Sequence, residues 1–204
     1  YTFTGWTPEV PSAVPGENRV FTAAWQINSY EVVFDAAGGT GSQVLTMPFN
    51  AVITPPTVEK TGYSFSGWSP AVPQRVPAYN TRYTAEWIVN RYTAVFDAAG
   101  GNGGSETMYE FGAHINAPSV TRNGYTFAGW SPDVPQTMPA NDLRFTAQWT
   151  LNRYTMTFNA GGGEGSAVYL LDYGSNLTPP SVTRNGFAFA GWSPAVPATV
   201  PATD

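Results

Sequence analysis

The chain of 204 residues contains no cysteine, 1 histidine and few charged side chains. The lack of cysteine excludes disulfide bonds and thiolate metal sites. Only 11% of the residues are charged, with 14 acidic against 9 basic side chains and no run of either sign. Because contacts to phosphates need clustered cations, this composition argues against a nucleic-acid partner. No apolar stretch approaches the roughly 18 residues that a membrane-spanning segment needs, so the sequence shows no membrane span.

Tryptophan, in contrast, recurs at a fixed spacing. The tryptophans stand at residues 6, 25, 68, 87, 130, 149 and 192, so every second one recurs after 62 residues. A constant period without insertion or deletion indicates tandem copies of one small domain. Each unit is near the lower size at which a chain folds alone, and its aromatic side chains are therefore predicted to form the core.

The phase of the repeat predicts where the domains begin. Tyr30, Tyr92 and Tyr154 open successive copies. The predicted domains are the second half of a repeat at 1–29, full repeats at 30–91 and 92–153, and a repeat without its last strand at 154–204. The simplest interpretation is a stretch of a longer protein.

Each unit is predicted to contain four strands, with glycine-rich turns and at most one short helical turn. In the second full repeat, alternating apolar residues predict strands over 92–97, 106–111, 125–130 and 144–149. The corresponding third strands are 1–6, 63–68 and 187–192, and Val20–Trp25 is the fourth strand of the first, partial copy. Pro118 and Gly124 argue against a long helix between the second and third strands.

Two expectations concern packing around the third and fourth strands. By simple alternation, Trp130 lies on the opposite face from Tyr125 and Phe127, so we expect the proline-rich segment Ser131–Pro139 to fold back onto its indole. Only Thr150–Arg153 separate one unit from the next. So short a joint predicts a fixed relation between units and an elongated, semi-rigid rod.

Three spaced motifs carry a family resemblance over essentially the whole chain. Residues 92–101 (YTAVFDAAGG), 122–130 (RNGYTFAGW) and 145–149 (FTAQW) resemble the Listeria–Bacteroides repeat, also called the internalin B-repeat. The resemblance implies a compact β-grasp-like domain that serves as a tandem spacer in bacterial surface or secreted proteins. The Ser-Pro-x-Val-Pro segment departs from the family pattern. No catalytic residues come with the resemblance.

The residues themselves form no active-site pattern. His114, the single histidine, occupies the repeat position of Val52 and Asn176, so we expect no catalytic or ligand role for it. We predict no catalytic, cofactor-binding or metal-binding residues, no cofactor and no enzymatic activity.

Asp35, Asp97 and Asn159 precede the glycine loops and raise the question of a cation site. Calcium requires several converging oxygens, and here one side chain is followed by alanine and glycine. We therefore interpret these residues as Asx side chains that stabilise a turn.

An isopeptide crosslink would need a lysine in each domain. Lys60 is the only lysine, and Arg122 and Arg184 replace it in the later copies. We therefore reject this crosslink.

Glycan binding is an alternative function, because exposed aromatic rings stack on sugars. The residues that could form such a platform on each unit are Trp68, Trp130 and Trp192 with Tyr79 or Tyr109. We prefer the interpretation that small units without disulfides keep these rings inside.

Self-assembly is another alternative. The last copy lacks its fourth strand, and the Val20–Trp25 strand of a second molecule could complete it. Repetition of that strand addition would form a filament of like chains.

The preferred prediction is a mainly β, non-enzymatic stalk, spacer or fibre of a bacterial cell-surface or secreted protein. Its partners would be neighbouring repeats or like chains, or a host or cell-surface glycan or protein bound by regions outside this sequence.

Overall fold

The computed structural model describes residues 1–202, whose regular elements are all β strands. The strands are β1 (Thr2–Thr7), β2 (Thr22–Gln26), β3 (Ser29–Asp35), β4 (Gln43–Pro48), β5 (Tyr63–Ser69), β6 (Thr81–Val89), β7 (Arg91–Asp97), β8 (Ser105–Glu110), β9 (Tyr125–Ser131), β10 (Leu143–Leu151), β11 (Arg153–Phe158) and β12 (Ala167–Asp172). This confirms a mainly β chain of small repeated domains. The β-grasp-like classification and the repeat boundaries remain predictions.

Each full repeat forms one mixed sheet of four strands. The strand orders are β4-β3-β6-β5 and β8-β7-β10-β9. The first and fourth strands of a repeat lie parallel at the centre, and the hairpin partners flank them in antiparallel orientation. The fourth strand therefore joins the two halves of the repeat, because it pairs with both the first and the third strand.

The core lies on one face of each sheet, as the alternating pattern predicts. Phe34 and Val32 on β3 are fully buried, and Tyr83 and Ala85 on β6 face the same side. The ring centroids of Phe34 and Tyr83 are 5.4 Å apart. The opposite sheet face carries more polar side chains, including Arg82, which is consistent with exposure to solvent.

The parity predicted for the third-strand tryptophan is wrong. A β-bulge between Phe65 and Gly67 shifts the register of β5, so that Phe65 lies opposite Trp87 and Trp68 lies opposite Ala85. Residues 85 and 87 share a face, and the bulge therefore brings Trp68 to the same face as Phe65. Gly67 has a φ of 157°, which is compatible with the extra residue of the bulge.

The proline-rich segment does return over the core, as expected. In the first full repeat it runs from Ser69 to Pro77, and Val76 becomes 1% exposed within the cluster that Trp68 also contacts. The Val76 N–H donates to the carbonyl oxygen of Ala51, and the Val76 carbonyl accepts from the Asn50 N–H, which fixes this return. The core is thus closed by an irregular layer rather than by a helix.

Each full repeat contains a second, smaller core cluster beside the first. In the second full repeat, it consists of Ala98, Val120 and Ala147, with Trp130 and Trp149 packed against them. The same positions form the second cluster of the first full repeat. The fourth strand supplies Ala147 and Trp149 to this cluster.

The strand predicted at 187–192 is absent from the structure of the last repeat. Among residues 154–202, β11 and β12 form a strand pair, and residues 188–192 have no strand assignment. The reason is physical, because a third strand pairs only with the fourth, which residues 154–202 do not include. The strand predicted at Val20–Trp25 is present as β2, which begins two residues later.

By contacts, the chain forms two compact units, Tyr1–Asn90 and Arg91–Asp204. The first unit contains the partial copy and the first full repeat. The second unit contains the second full repeat and the last, incomplete one.

Candidate functional site

One asparagine lies at the centre of the joint inside the second unit. The Asn152 N–H donates to the carbonyl oxygen of Gly124 at 3.0 Å, and its side-chain oxygen accepts from Thr126 Oγ1 at 2.6 Å. Its own carbonyl accepts from the N–H of Tyr173 in the following repeat, at 2.9 Å. Asn152 thus ties the third strand of one repeat to the second strand of the next.

The joint inside the first unit has the same construction. The side-chain oxygen of Asn28 accepts from Thr2 Oγ1 at 2.7 Å, and its carbonyl accepts from the Phe49 N–H at 2.8 Å. The short, stiff connection was predicted from the sequence, but the role of this asparagine was not. The sequence does contain a sign of this role, because Asn28, Asn90 and Asn152 recur at the repeat spacing of 62 residues.

Aromatic rings pack across both of these joints. Tyr1 meets Phe49 at a centroid distance of 6.1 Å, and Tyr125 meets Tyr173 at 6.2 Å, each edge to face. The Tyr173 ring also lies over Gly124, where an added Cβ would come within 2.1 Å of the ring. Gly124 therefore permits both its positive φ of 75° and the close approach of the next repeat.

The residues that precede the glycine loops form Asx turns, which confirms the preferred interpretation. Asp35 accepts from the Ala37 N–H, Asp97 from the Ala99 N–H and Asn159 from the Gly161 N–H, each at 2.9 Å. Within residues 1–202, no group of three or more His, Cys, Asp or Glu side chains is placed to hold a metal ion.

Both aspartates have lowered pKa values. The backbone N–H of Ala99 contributes most to lowering the pKa of Asp97, and the Arg144 guanidinium, 2.7 Å from the carboxylate, lowers it further. The pKa of Asp35 is lowered in the same way by the Ala37 N–H and then by Arg82. These carboxylates act as ionised turn acceptors rather than as acid–base groups.

The cationic side chain just before the third strand has a structural role that was not predicted from the sequence. Arg122 donates to the carbonyl oxygen of Ala99 at 3.2 Å and lies 4.0 Å from the centroid of the Tyr125 ring. Lys60 makes the corresponding contacts with Ala37 and Tyr63. Either cation thus connects the glycine loop to the third strand, which explains why lysine and arginine both occur at this position.

His114 lies at an exposed position in a backbone bridge to Thr137. The corresponding residues Val52 and Asn176 form the same kind of bridge, with Arg75 and Thr199. The three repeats therefore share the backbone bridge at this position and not the imidazole side chain.

The tryptophans proposed for a glycan platform pack within the repeats. Trp68 meets Phe34 at 5.0 Å, Trp130 meets Phe96 at 5.0 Å, and Trp192 meets Phe158 at 5.1 Å, measured between ring centroids. Tyr109 packs against the same cluster as Trp130, whereas Tyr79 is 65% exposed. These tryptophans are partly buried and pack against the core clusters, which agrees with the preferred interpretation, and glycan binding remains an untested prediction.

Repeated small β domains, joined by asparagine-centred connections, define a tandem β-repeat protein. The Listeria-Bacteroides repeat domain matches residues 30–83, 92–151 and 154–199, and the chain belongs to this family. The family resemblance of the sequence motifs is thereby confirmed.

Curated relatives share this region. A protein of Evansella cellulosilytica named as a membrane protein is 32% identical over 189 aligned positions, which cover 83% of this chain and 28% of the relative. A Gly-rich membrane protein of the same organism is 29% identical, covering 86% of this chain and 23% of the relative. Internalin H of Listeria monocytogenes is 35% identical over 118 positions, covering 52% of this chain and 20% of internalin H.

The chain therefore spans between 20% and 28% of the length of these relatives. The part of the chain that the structure describes contains no helix with the length and apolar character of a membrane span.

Proposed function

We propose that this chain is a non-enzymatic spacer segment of a bacterial cell-surface or secreted protein. In this function, the repeats act as a stalk or fibre that holds another part of the protein at a distance from the cell. The observation that carries the proposal is the Asn152 joint, which uses backbone, side-chain and aromatic contacts to fix one repeat on the next.

Family membership and the names of the relatives support the location. Two relatives are named as membrane proteins and one as an internalin. A surface that remains polar through Thr, Ser and Asn, with only 11% charged residues, is compatible with an extracellular position.

The spacer function requires a narrow distribution of distances between neighbouring repeats. The chain has no cysteine, so cysteines introduced at the exposed positions Glu106 and Val168 give two unique sites for spin labels. We expect pulsed electron paramagnetic resonance to show one narrow distance distribution across the Asn152 joint. A broad distribution in the parent chain would contradict a stiff spacer.

Substitution of Gly124 tests whether the joint sets this distance. Gly124→Ala places a Cβ against Tyr173 and should broaden or shift the distribution. Gly186→Ala is the matched control, because Gly186 has a similar φ of 79° but nothing within 4 Å of an added Cβ. If both variants alter the distribution equally, backbone strain and not the joint contact is responsible.

The surface location has a separate test in cells that produce the protein. A protease added to intact cells should release fragments of this segment. Fragments that appear only after lysis would contradict a surface location without affecting the test of stiffness.

A further inference from the structure

The first and the fourth strand of each full repeat lie side by side at the centre of its sheet. In the second full repeat, residues 94–97 of β7 pair in parallel with residues 143–146 of β10. In the first full repeat, residues 32–35 of β3 pair in the same way with residues 81–84 of β6. Each full repeat therefore bonds the strand by which the chain enters to the strand by which it leaves.

This parallel pairing places the two ends of a repeat at opposite ends of one strand pair. The chain enters the second full repeat at Arg91, the first residue of β7, and leaves it at Leu151, the last residue of β10. Tension along the chain therefore pulls β7 and β10 in opposite directions, each along its own axis. Because the hydrogen bonds of a parallel pair are evenly spaced, they carry such a load together and not one after another.

Side-chain contacts close both ends of this strand pair. At its start, the Asp142 carboxylate, just before β10, accepts a hydrogen bond from the Thr93 N–H on β7 at 2.7 Å. At its end lies the ion pair between Arg144 on β10 and Asp97 on β7. Shear of the two strands must break both contacts together with the backbone bonds between them.

Contacts of the core link the same two parts of the repeat. Phe96 on β7 and Phe145 on β10 are buried, and their rings stack with centroids 4.8 Å apart. Further along, Trp149 Nε1 on β10 donates to the carbonyl oxygen of Ala98, just after β7, at 2.9 Å. These contacts also oppose a sliding motion of β7 against β10.

The first full repeat has the same arrangement with a different side chain at one position. The Asn80 side-chain oxygen accepts from the Glu31 N–H at 2.9 Å, in the place where Asp142 acts in the second full repeat. Arg82 forms the corresponding ion pair with Asp35. Since an amide and a carboxylate make the same contact, the position supplies an acceptor oxygen rather than a charge.

We propose that each full repeat is a mechanical clamp, in which the parallel first and fourth strands resist tension applied along the chain. The proposal rests on the spacer function for its setting, because a spacer that holds another part of the protein away from the cell carries tension. The two are tested separately. The clamp concerns the force that opens one repeat, whereas the stiffness of the spacer concerns the distance between neighbouring repeats.

The test pulls the second full repeat in two directions within the complete chain. The chain has no cysteine, so pairs of introduced cysteines accept the DNA handles of optical tweezers. Handles at Arg91→Cys and Leu151→Cys load β7 and β10 in shear. Handles at Arg91→Cys and Asn141→Cys peel the two strands apart from one end, so that their hydrogen bonds break in turn. All three positions are exposed.

We expect a direction-dependent unfolding force. At one loading rate, the mean force in shear should be at least about twofold higher than in peeling, because forced unfolding follows the barrier along the loaded direction. Equal forces, or a lower force in shear, would overturn the proposal. Such a result would leave a narrow distance distribution across the Asn152 joint, and with it the spacer function, unaffected.

Substitutions at Asp142 test whether the load passes through this strand pair. Asp142→Ala removes the acceptor of the Thr93 N–H and should lower the force in shear more than the force in peeling. Asp142→Asn keeps an acceptor oxygen, as Asn80 does, and should retain the force of the parent. Asp133→Ala is the matched control, because it removes a carboxylate at an exposed position of the proline-rich segment, outside both strands.

Circular dichroism of the three variants should match the parent, so that each force refers to a folded repeat. If a folded Asp142→Ala chain keeps the parent's force in shear, the strand pair does not carry the load and the clamp is wrong. An equal loss of force in shear and in peeling would show general destabilisation and would also contradict the clamp.

Discussion

At the scale of single residues, the Asx turns show how far side-chain chemistry can be inferred from sequence. Asp35 and Asp97 stand before glycine loops, and the structure shows each of them as the acceptor of a backbone N–H two residues later. This contact is local, so the sequence predicts it. The partners Arg82 and Arg144 come from the fourth strand, 47 residues later, and are brought near only by the parallel pairing.

The lowered pKa values predict a loss of stability in acid. A folded pKa below the ordinary value of 3.8 means that the ionised carboxylate favours the folded chain. Its contribution is complete above that pH and is lost as the pH falls through the lower folded pKa. We expect the urea midpoint of the parent to decrease between about pH 6 and about pH 3.

The variant Asp35→Asn/Asp97→Asn should show a smaller decrease over the same range, as Asn159 already forms the same turn without a titrating group. Urea unfolding curves at both pH values measure this difference. An equal decrease in parent and variant would show that other carboxylates dominate the acid response.

At the scale of elements, the fourth strand decides whether a repeat is complete. β6 and β10 pair with strands on both sides, and each supplies one of the two tryptophans that pack against the second core cluster. Where the fourth strand is missing, residues 188–192 do not form a strand, although their sequence pattern matches that of β5 and β9. Local pattern is therefore insufficient for this strand, because its hydrogen bonds all go to one distant partner.

Substitution of the fourth-strand tryptophan should destabilise a full repeat. Trp149→Phe removes the indole hydrogen bond to Ala98, worth about 1 kcal/mol, and part of the ring that covers the second cluster, worth about 1 kcal/mol more. The Ala98 carbonyl keeps its bond from the Gly101 N–H, which limits the loss. Chemical unfolding measures the difference.

Trp25 provides the matched control for this change. It occupies the same repeat position on β2 but is 59% exposed. Trp25→Phe should change the free energy of unfolding by no more than about 0.5 kcal/mol. If the two substitutions cost the same, the second core cluster does not contribute as proposed.

At the scale of the whole molecule, residues 1–202 contain different shares of the individual repeats, although the repeat sequences are similar. The second full repeat has two core clusters and four paired strands. Among the described residues, the last repeat has the one cluster around Phe158 and two paired strands. Stability should therefore vary along the chain, since local opening depends on buried contacts and pairing.

Hydrogen exchange followed by mass spectrometry can measure this variation. We expect the amides of β11 and β12 to exchange faster than those of β7 and β8, the corresponding strands of a full repeat. Peptides from both repeats are compared within one sample, so solution conditions are matched. Equal exchange would mean that the fourth strand adds no protection to the first two.

The repeat period, the first and second strands, the Asx turns and the aromatic core depend on spacing and on contacts between near neighbours, so the sequence alone predicts them. The bulge that turns Trp68 inward, the strand pairing that residues 188–192 lack and the joint built around Asn152 are visible only in the folded chain. Each of these depends on a backbone partner from another strand or another repeat. Such a partner is fixed by register and packing rather than by the local pattern of side chains.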